Sequence, residues 1–210
     1  MIQVVPSILE KDFAEIERKI KLVEGLVEWA QIDIADGILV PNTTFYDPLK
    51  LKSIDTKIKL EAHLMAEDPG SYIKPLVDAG FKRFYAHIES GKAEDFMAEA
   101  YKYDCQVGLA IDGPTNLEKI QPYLEDLDAV LVMTIDAGFS GKPMREDTLV
   151  KIKKIRDSFF DLPIATDGAM DDINAKKAVE AGATIICSNS YLFKSSNIEE
   201  KIKILRDLDR

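Results

Sequence analysis

The sequence predicts an α/β fold, a closed barrel of eight parallel strands, each followed by a helical segment, in a single domain over residues 1–210. Short β-rich runs alternate with amphipathic stretches along the whole chain, without a Pro- or Gly-rich linker. The 210 residues, 46% of them hydrophobic, suffice for one sizeable core. This length is at the short end for a (β/α)8 TIM barrel. A doubly wound open sheet is the alternative, but eight similar units favour closure.

Eight segments have the length and the composition of buried strands. They are residues 3–7, 29–33, 59–63, 84–87, 106–111, 129–133, 163–166 and 184–187. The stretches between them have helical periodicity. In the first of these stretches, Ile16, Ile20 and Val23 recur at intervals of three or four and therefore share one face.

Helix boundaries are indicated by capping residues. Three pairs are typical of capping boxes, in which the first side chain accepts from a free backbone amide of the first turn. These pairs are Asp12 with Glu15, Thr115 with Glu118 and Asn197 with Glu200. Gly80 and Gly182 are placed to end helices before the next strand.

Composition excludes several classes of protein. The net charge of -10 argues against a nucleic-acid binder and against a basic membrane-surface protein. The first residues lack the features of a signal peptide, and no apolar run approaches the roughly 18 residues of a spanning helix. Cys105 and Cys187 are far apart in sequence and outside any CxxC pattern, so reduced thiols and a cytoplasmic location are expected.

Two aspartates and both histidines of the chain are predicted at the carboxyl ends of strands, where such barrels carry their active sites. Asp33 and Asp167 each follow an apolar run and precede glycine-containing loops. Two nearby carboxylates suit either a proton-transfer pair or part of a metal site. His63 suits a metal or an enediolate oxygen, whereas His87 is expected to play a supporting role. The ordinary alternative is a set of turn-forming aspartates and hydrogen-bonded loop histidines.

Glycine-containing loops after the last three strands indicate an anion site, because glycine allows backbone amides to approach an anion closely. The segments are Gly138-Phe139-Ser140-Gly141, Asp167-Gly168-Ala169 and Asn189-Ser190. Tyr191, Leu192 and Phe193 are predicted to form a short extra helix. Taken alone, the first segment would be only a mobile loop, and Met65 and Met133 would be core residues.

An ordered set of motifs makes a family resemblance specific. The set is Pro6-Ser7-Ile8-Leu9, Ile32-Asp33-Ile34-Ala35-Asp36-Gly37, Val40-Pro41-Asn42, His63-Leu64-Met65, His87-Ile88-Glu89, Val132-Met133-Thr134, Gly138-Phe139-Ser140-Gly141 and Asp167-Gly168. It resembles the ribulose-phosphate 3-epimerase family, from about residue 5 to about residue 193.

The resemblance implies a (β/α)8 barrel enzyme of the pentose phosphate pathway that interconverts ribulose 5-phosphate and xylulose 5-phosphate. In the family, two aspartates act as base and acid on opposite faces of an enediolate, and these roles fall on Asp33 and Asp167. A divalent metal (zinc, iron, manganese or cobalt) is held by these aspartates and two histidines, one of which matches His63. The resemblance also implies a homo-oligomer, a dimer or a hexamer.

The remaining site residues are likewise implied by the resemblance. Those matching the sugar site are Ser7, Met65 and Met133, with His63 beside them. Those matching the phosphate site are Gly138, Phe139, Ser140, Gly141, Gly168, Ala169, Asn189 and Ser190.

The sequence departs from the family pattern at the site itself. Gln31 stands where the family has its other metal-binding histidine, which weakens the prediction of a metal. Ala35 replaces a methionine, and Ala169 and Asn189 replace glycines of the phosphate loops. These changes put the metal, the rate and the substrate in question, but not the fold.

Two other functions are considered. The first is a catalytically impaired relative that only binds a sugar phosphate, which retention of both aspartates opposes. The second is another phosphosugar reaction, such as decarboxylation or aldol cleavage. It ranks last, because the Asp-x-Lys-x-x-Asp array of the related decarboxylases is missing after Asp33.

Overall fold

The computed structural model describes residues 2–138 and 141–209 and shows a closed barrel. All eight strands are parallel, and β8 pairs with β1, which overturns the open-sheet alternative. The strands are β1 (Gln3–Ile8), β2 (Trp29–Ala35), β3 (Lys59–Met65), β4 (Arg83–His87), β5 (Gln106–Ile111), β6 (Ala129–Met133), β7 (Ile164–Asp167) and β8 (Ile185–Ser188).

Helices surround the barrel. They are α1 (Phe13–Val23), α2 (Pro48–Lys52), α3 (Gly70–Asp78), α4 (Ala93–Ala100), α5 (Asp147–Ser158), α6 (Asp172–Ala181), α7 (Ser190–Phe193) and α8 (Ile198–Arg206). Asp12 and Asn197 cap α1 and α8 through their side chains, as predicted, and Gly182 ends α6 at a positive φ. The short helix predicted after the last strand is α7. Within the described part of the chain, no helix is long and apolar enough to span a membrane.

The segment between β5 and β6 differs from the prediction. It contains two 3₁₀ helices, Leu117–Lys119 and Gln121–Asp126, instead of an amphipathic α-helix. The capping box predicted for Thr115 and Glu118 is therefore wrong, since no side chain caps the first of these helices. Pro122 lacks a backbone donor and interrupts the i to i-4 pattern that a longer helix needs.

Two strands extend further than their sequence pattern suggested, and the other six agree within one residue. Both β2 and β3 continue for two residues beyond the predicted ends, because their ladder runs on to the pairing of Ala35 with Met65. Asp33 is therefore inside β2, opposite His63 in the register, and not at the end of the strand. This register places the two side chains side by side within the barrel.

The amino-terminal half of the barrel interior is filled. Tyr85 is fully buried, and a Cβ on Gly108 would lie only 2.5 Å from its ring, so glycine is required there. Below it, the buried Arg83 donates to Glu61 at 2.6 Å and lies over the Trp29 ring at 4.2 Å. With this end closed, a ligand enters the barrel only from the carboxyl ends of the strands.

Candidate active site

A cleft of about 530 Å³, including the part open to solvent, lies at the carboxyl ends of the strands. Nearly all of the predicted site residues line it. They are Ser7, Asp33, His63, Met65, Met133, Gly138, Gly141, Asp167, Gly168, Ala169, Asn189 and Ser190. Phe139 and Ser140, also predicted for the site, are outside the described residues.

The centre of the cleft is a buried triad of Asp33, His63 and Asp167. His63 Nδ1 is 3.0 Å from Asp33 Oδ1 and 3.8 Å from Asp167 Oδ2. One ligand atom from each residue lies within 4.8 Å of the others. Strands β2, β3 and β7, which are distant in sequence, therefore converge on one point.

Ser7 and Gln31 link the two carboxylates. The Ser7 hydroxyl donates to Asp33 Oδ2 at 2.6 Å and is 3.4 Å from Asp167 Oδ2. The Gln31 amide donates to Asp33 Oδ1 at 2.8 Å and to Asp167 Oδ2 at 2.6 Å. Because the two hydrogens of this amide are shared between the aspartates, Gln31 holds the carboxylates close together.

Burial and mutual repulsion set the electrostatics of the aspartate pair. Removal from water, followed by the negative charge of Asp33, raises the pKa of the Asp167 carboxyl to about 7. The Asp167 carboxyl can therefore hold or release a proton near neutral pH. Such a pair can take up a proton on one member and give one from the other.

The donor set of Asp33, His63 and Asp167 fits a divalent cation. Two carboxylates and one imidazole are ligands that divalent transition metals accept, and all three are buried. Gln31 Oε1 is also buried and has no hydrogen-bond partner among the described residues. The NH₂ group of Gln31, and not this oxygen, faces the two aspartates, so the groups placed to hold a metal are Asp33, His63 and Asp167.

His87 has the supporting position that the sequence indicated. It is buried, and its Nε2 lies 2.8 Å from His63 Nε2, while its Nδ1 lies 2.9 Å from Glu89 Oε2. Glu89 was not predicted as a site residue, although it belongs to the His87-Ile88-Glu89 motif. Its position two residues after His87 was the signal that could have identified it as the partner of this histidine.

The end of the cleft where the sequence predicted an anion site contains residues with left-handed backbone conformations. Gly138, Gly141 and Gly168 have φ of 104°, 89° and 108°. A Cβ on Gly168 would lie 2.5 Å from Ile135 Cγ1, so this position requires glycine. Ala169 follows with φ of 53°, a conformation that costs a non-glycine residue about 1 kcal/mol or more.

Lys19 was not predicted to lie near the site. It is buried on α1, where its Nζ donates to Asn189 Oδ1 at 3.3 Å and pairs with Glu10 at 2.7 Å. Asn189 lines the cleft, and this hydrogen bond from Lys19 fixes its side chain. The helical pattern of α1 gave no signal for this contact, because a lysine on an amphipathic helix is normally solvated.

Four further residues line the cleft without having been predicted: Leu9, Ile135, Met170 and Cys187. All four are apolar or weakly polar and lie on strands or within three residues of a strand end. Such residues have no chemical signature, and only the closed barrel shows that they face the ligand space.

Comparisons with known proteins identify the family of the chain. The model of the "Ribulose-phosphate 3 epimerase family" matches residues 3–193. The ribulose-phosphate 3-epimerase of Schizosaccharomyces pombe is 32% identical over 212 residues, which cover 98% of this chain and 92% of that protein. The Bacillus subtilis enzyme of the same name is 33% identical over 215 residues, covering 98% and 99%.

Solved structures agree in fold alone. The 3-hexulose-6-phosphate synthase from Salmonella typhimurium has a TM-score of 0.74 at 15% identity, covering 99% of this chain and 98% of that one. The orotidine 5'-phosphate decarboxylase from Pyrococcus horikoshii has a TM-score of 0.69 at 15% identity, covering 98% of each chain. The family match spans most of the chain and coincides with the aspartate and histidine cluster. The chain belongs to the ribulose-phosphate 3-epimerase family.

Proposed function

We propose that this protein interconverts ribulose 5-phosphate and xylulose 5-phosphate by inverting the configuration at C3. Membership of the family makes it an isomerase of the carbohydrate epimerase class. The observation that carries the proposed chemistry is the pair of buried carboxylates, Asp33 and Asp167, facing one cleft from β2 and β7.

The reaction needs one base and one acid. The C3 hydrogen is adjacent to the C2 carbonyl, so a carboxylate that removes it leaves an enediolate. The other carboxyl then returns a proton to the opposite face of C3, and the two residues exchange protonation states. In one direction Asp33 is the base and Asp167 the acid, and the raised pKa of Asp167 suits a carboxyl that gives up a proton near neutral pH. In the reverse direction the roles exchange.

Neutral donors beside the aspartates, and a cation held there, would stabilise the charge of the enediolate. Ser7 and Gln31 supply such donor groups. A divalent ion held by Asp33, His63 and Asp167 would supply a positive charge that offsets the developing oxyanion. We infer that manganese, iron, cobalt and zinc are the candidates, which dialysis followed by loading with each ion in turn would rank.

The phosphate group of the substrate is assigned to the other end of the cleft. The backbone after β6 and β7 contains Gly138, Gly141 and Gly168 there, and it leaves room for an anion close to the main chain. Asn189, fixed by Lys19, adds a side-chain amide to this end. The family binds sugar phosphates, which agrees with such an assignment.

A binding role without catalysis is not favoured. Two buried carboxylates held close together destabilise the fold, so a protein that only binds its ligand has no reason to keep them. Here they lie beside a histidine that faces the same cleft, as a catalytic site requires. The homo-oligomeric state and the cytoplasmic location stay predictions.

The proposal is tested by incubating the protein with ribulose 5-phosphate in deuterated water. Proton NMR should show xylulose 5-phosphate with solvent deuterium at C3. A panel of other ketose phosphates would establish the preference for pentoses. Absence of exchange at C3 for every ketose phosphate, with and without added divalent metal, would contradict an epimerase function.

A further inference from the structure

A chain of hydrogen bonds leads away from the aspartate pair through both histidines. It runs from Asp33 Oδ1 to His63 Nδ1 (3.0 Å), from His63 Nε2 to His87 Nε2 (2.8 Å) and from His87 Nδ1 to Glu89 Oε2 (2.9 Å). Both imidazoles are 1% exposed, so water does not replace these partners. The chain thus joins a buried carboxylate in the cleft to a second carboxylate behind it.

We propose that His87 and Glu89 are positioning residues that hold His63 in the tautomer with its proton on Nε2, so that the Nδ1 lone pair faces a cation bound between the aspartates. This inference rests on the proposed function only in placing the cation at Asp33, His63 and Asp167. Its consequences are measured without a sugar substrate.

The orientation begins at Glu89. One of its oxygens accepts from the backbone amide of Asp112 at 2.9 Å, and the other faces His87 Nδ1. Burial would raise the pKa of Glu89, but the hydrogen bonds that its carboxylate accepts from His87, Thr115 and the Asp112 amide favour its ionised form and help to lower the pKa. An ionised carboxylate only accepts, so His87 must carry its proton on Nδ1.

The contact between the two rings couples the proton position of His87 to that of His63. The ring centroids are 5.0 Å apart whereas the two nitrogens are only 2.8 Å apart, so both nitrogens point along the line that joins the rings. One hydrogen occupies this contact. When a cation takes the Nδ1 lone pair of His63, the His63 proton is on Nε2 and His87 Nε2 must accept it. The His87 proton is then on Nδ1, where the Glu89 carboxylate accepts it.

A cation fits into this chain at one position. The chain has three contacts and ends in a carboxylate on each side. With a cation at the contact of His63 Nδ1 with Asp33, where Asp167 also approaches to 3.8 Å, one hydrogen from each imidazole fills the other two contacts.

The substitution Glu89→Gln hardly changes the size of the side chain, but it reverses the donor and acceptor roles along the chain of hydrogen bonds. The amide of Asp112 can only donate, so the oxygen of the new side chain must face it, and the new NH₂ group must donate to His87 Nδ1. His87 then donates from Nε2 to His63, and His63 donates from Nδ1 to Asp33. All contacts are satisfied without a metal, and the lone pair needed by the metal is lost.

The test measures Zn²⁺ affinity by calorimetry, together with the histidine tautomers by long-range ¹H–¹⁵N NMR. Zn²⁺ is diamagnetic, and the chain has only two histidines, so their signals are few. Glu89→Gln should weaken Zn²⁺ binding about 10- to 100-fold. The control Glu94→Gln makes the same charge change on an exposed residue of α4 and should bind like the wild type.

The spectra provide the second outcome. Zn²⁺-loaded wild type should have protons on His63 Nε2 and His87 Nδ1, whereas metal-free Glu89→Gln should have them on His63 Nδ1 and His87 Nε2. Equal Zn²⁺ affinity of the two variants, no Zn²⁺ binding by the wild type, or a His87 proton on Nε2 in the loaded wild type would overturn the proposal. The wild-type spectrum decides this even if Glu89→Gln does not fold. Failure of epimerisation alone would leave these results unchanged.

Discussion

The two ends of the barrel interior both bury charged side chains, but they neutralise them differently. At the amino-terminal end, Glu61 is paired with Arg83, and the guanidinium also contacts Gln3, Gln106 and the Trp29 ring. At the carboxyl-terminal end, two aspartates share neutral donors, and the described residues that line the cleft include no lysine or arginine. At the first end a guanidinium offsets the charge of the carboxylate, and the pair serves stability. At the second end the negative charge is not compensated by a basic side chain. A bound cation or a transferable proton can compensate it there.

The largest expected effect is on activity at the carboxyl-terminal end. Asp33→Asn and Asp167→Asn should each lower kcat by about 10²- to 10⁴-fold, because each removes one of the two proton-transfer groups. Neither change should lower the unfolding free energy, since each relieves the repulsion between two buried carboxylates. Steady-state kinetics and urea unfolding would measure both quantities. A variant that kept more than a tenth of the wild-type kcat would contradict the assignment of its residue.

The amino-terminal end should respond in the opposite way. Arg83→Met leaves the buried Glu61 without its partner and should lower the unfolding free energy by about 3–5 kcal/mol. The folded fraction should keep the wild-type kcat, because this pair is remote from the cleft. Urea unfolding, with activity corrected for the folded fraction, checks both statements.

The control is the double variant Glu61→Leu with Arg83→Met, which removes both charges. It should regain much of the lost stability, since a buried ion pair replaced by apolar groups is often tolerated. If the double variant were less stable than Arg83→Met alone, the loss would reflect packing and not an unpaired charge.

A divalent metal should stabilise the protein through the carboxyl-terminal end only. At 100 times its dissociation constant, a bound ion adds about 2.7 kcal/mol to the unfolding free energy. Thermal unfolding with and without MnCl₂ should show this gain in the wild type and in Arg83→Met, but not in Asp33→Asn or Asp167→Asn. A similar rise in all four proteins would indicate nonspecific binding.

The smallest expected effect is a pH dependence of stability in the chelator-treated protein. The pKa of Asp167 is raised from 3.8 to about 7, so the folded state binds more protons than the unfolded state between these values. Stability should therefore fall as the pH rises from about 4 to about 7, with a slope of at most about 1.4 kcal/mol per pH unit. Asp167→Asn should flatten this slope, which urea unfolding at several pH values would reveal. An unchanged slope would assign the effect to other groups.

Much of the fold and of the site could be predicted from the sequence. The alternation of strands and helices predicts the closed barrel, and the barrel in turn brings Asp33, His63 and Asp167 together. The β2–β3 register was less predictable, because Ala35 and Met65 extend their strands through a ladder that is not local in sequence. The short 3₁₀ segments after β5 were missed for a different, local reason, since a capping pattern is a weak signal next to proline.

Contacts between distant segments were the hardest to predict. Gln31 could be recognised as a lost imidazole, but its amide bonds to both aspartates depend on β7 lying across the barrel. The contact of Lys19 with Asn189 and the orientation of His87 by Glu89 likewise exist only in the folded chain. Residue types indicated the chemistry, whereas the polarity and direction of each hydrogen bond required the structure.

The most direct test of the central claim is isotope exchange by the two single variants in deuterated water. With one carboxyl removed, the remaining one can still exchange the C3 proton on its own face without completing inversion. Asp33→Asn and Asp167→Asn should therefore each wash out the C3 proton of a different epimer, one ribulose 5-phosphate and the other xylulose 5-phosphate, while epimerisation is nearly lost. If either variant exchanged both epimers, or if both variants exchanged the same one, the two aspartates would not be acting on opposite faces of the substrate.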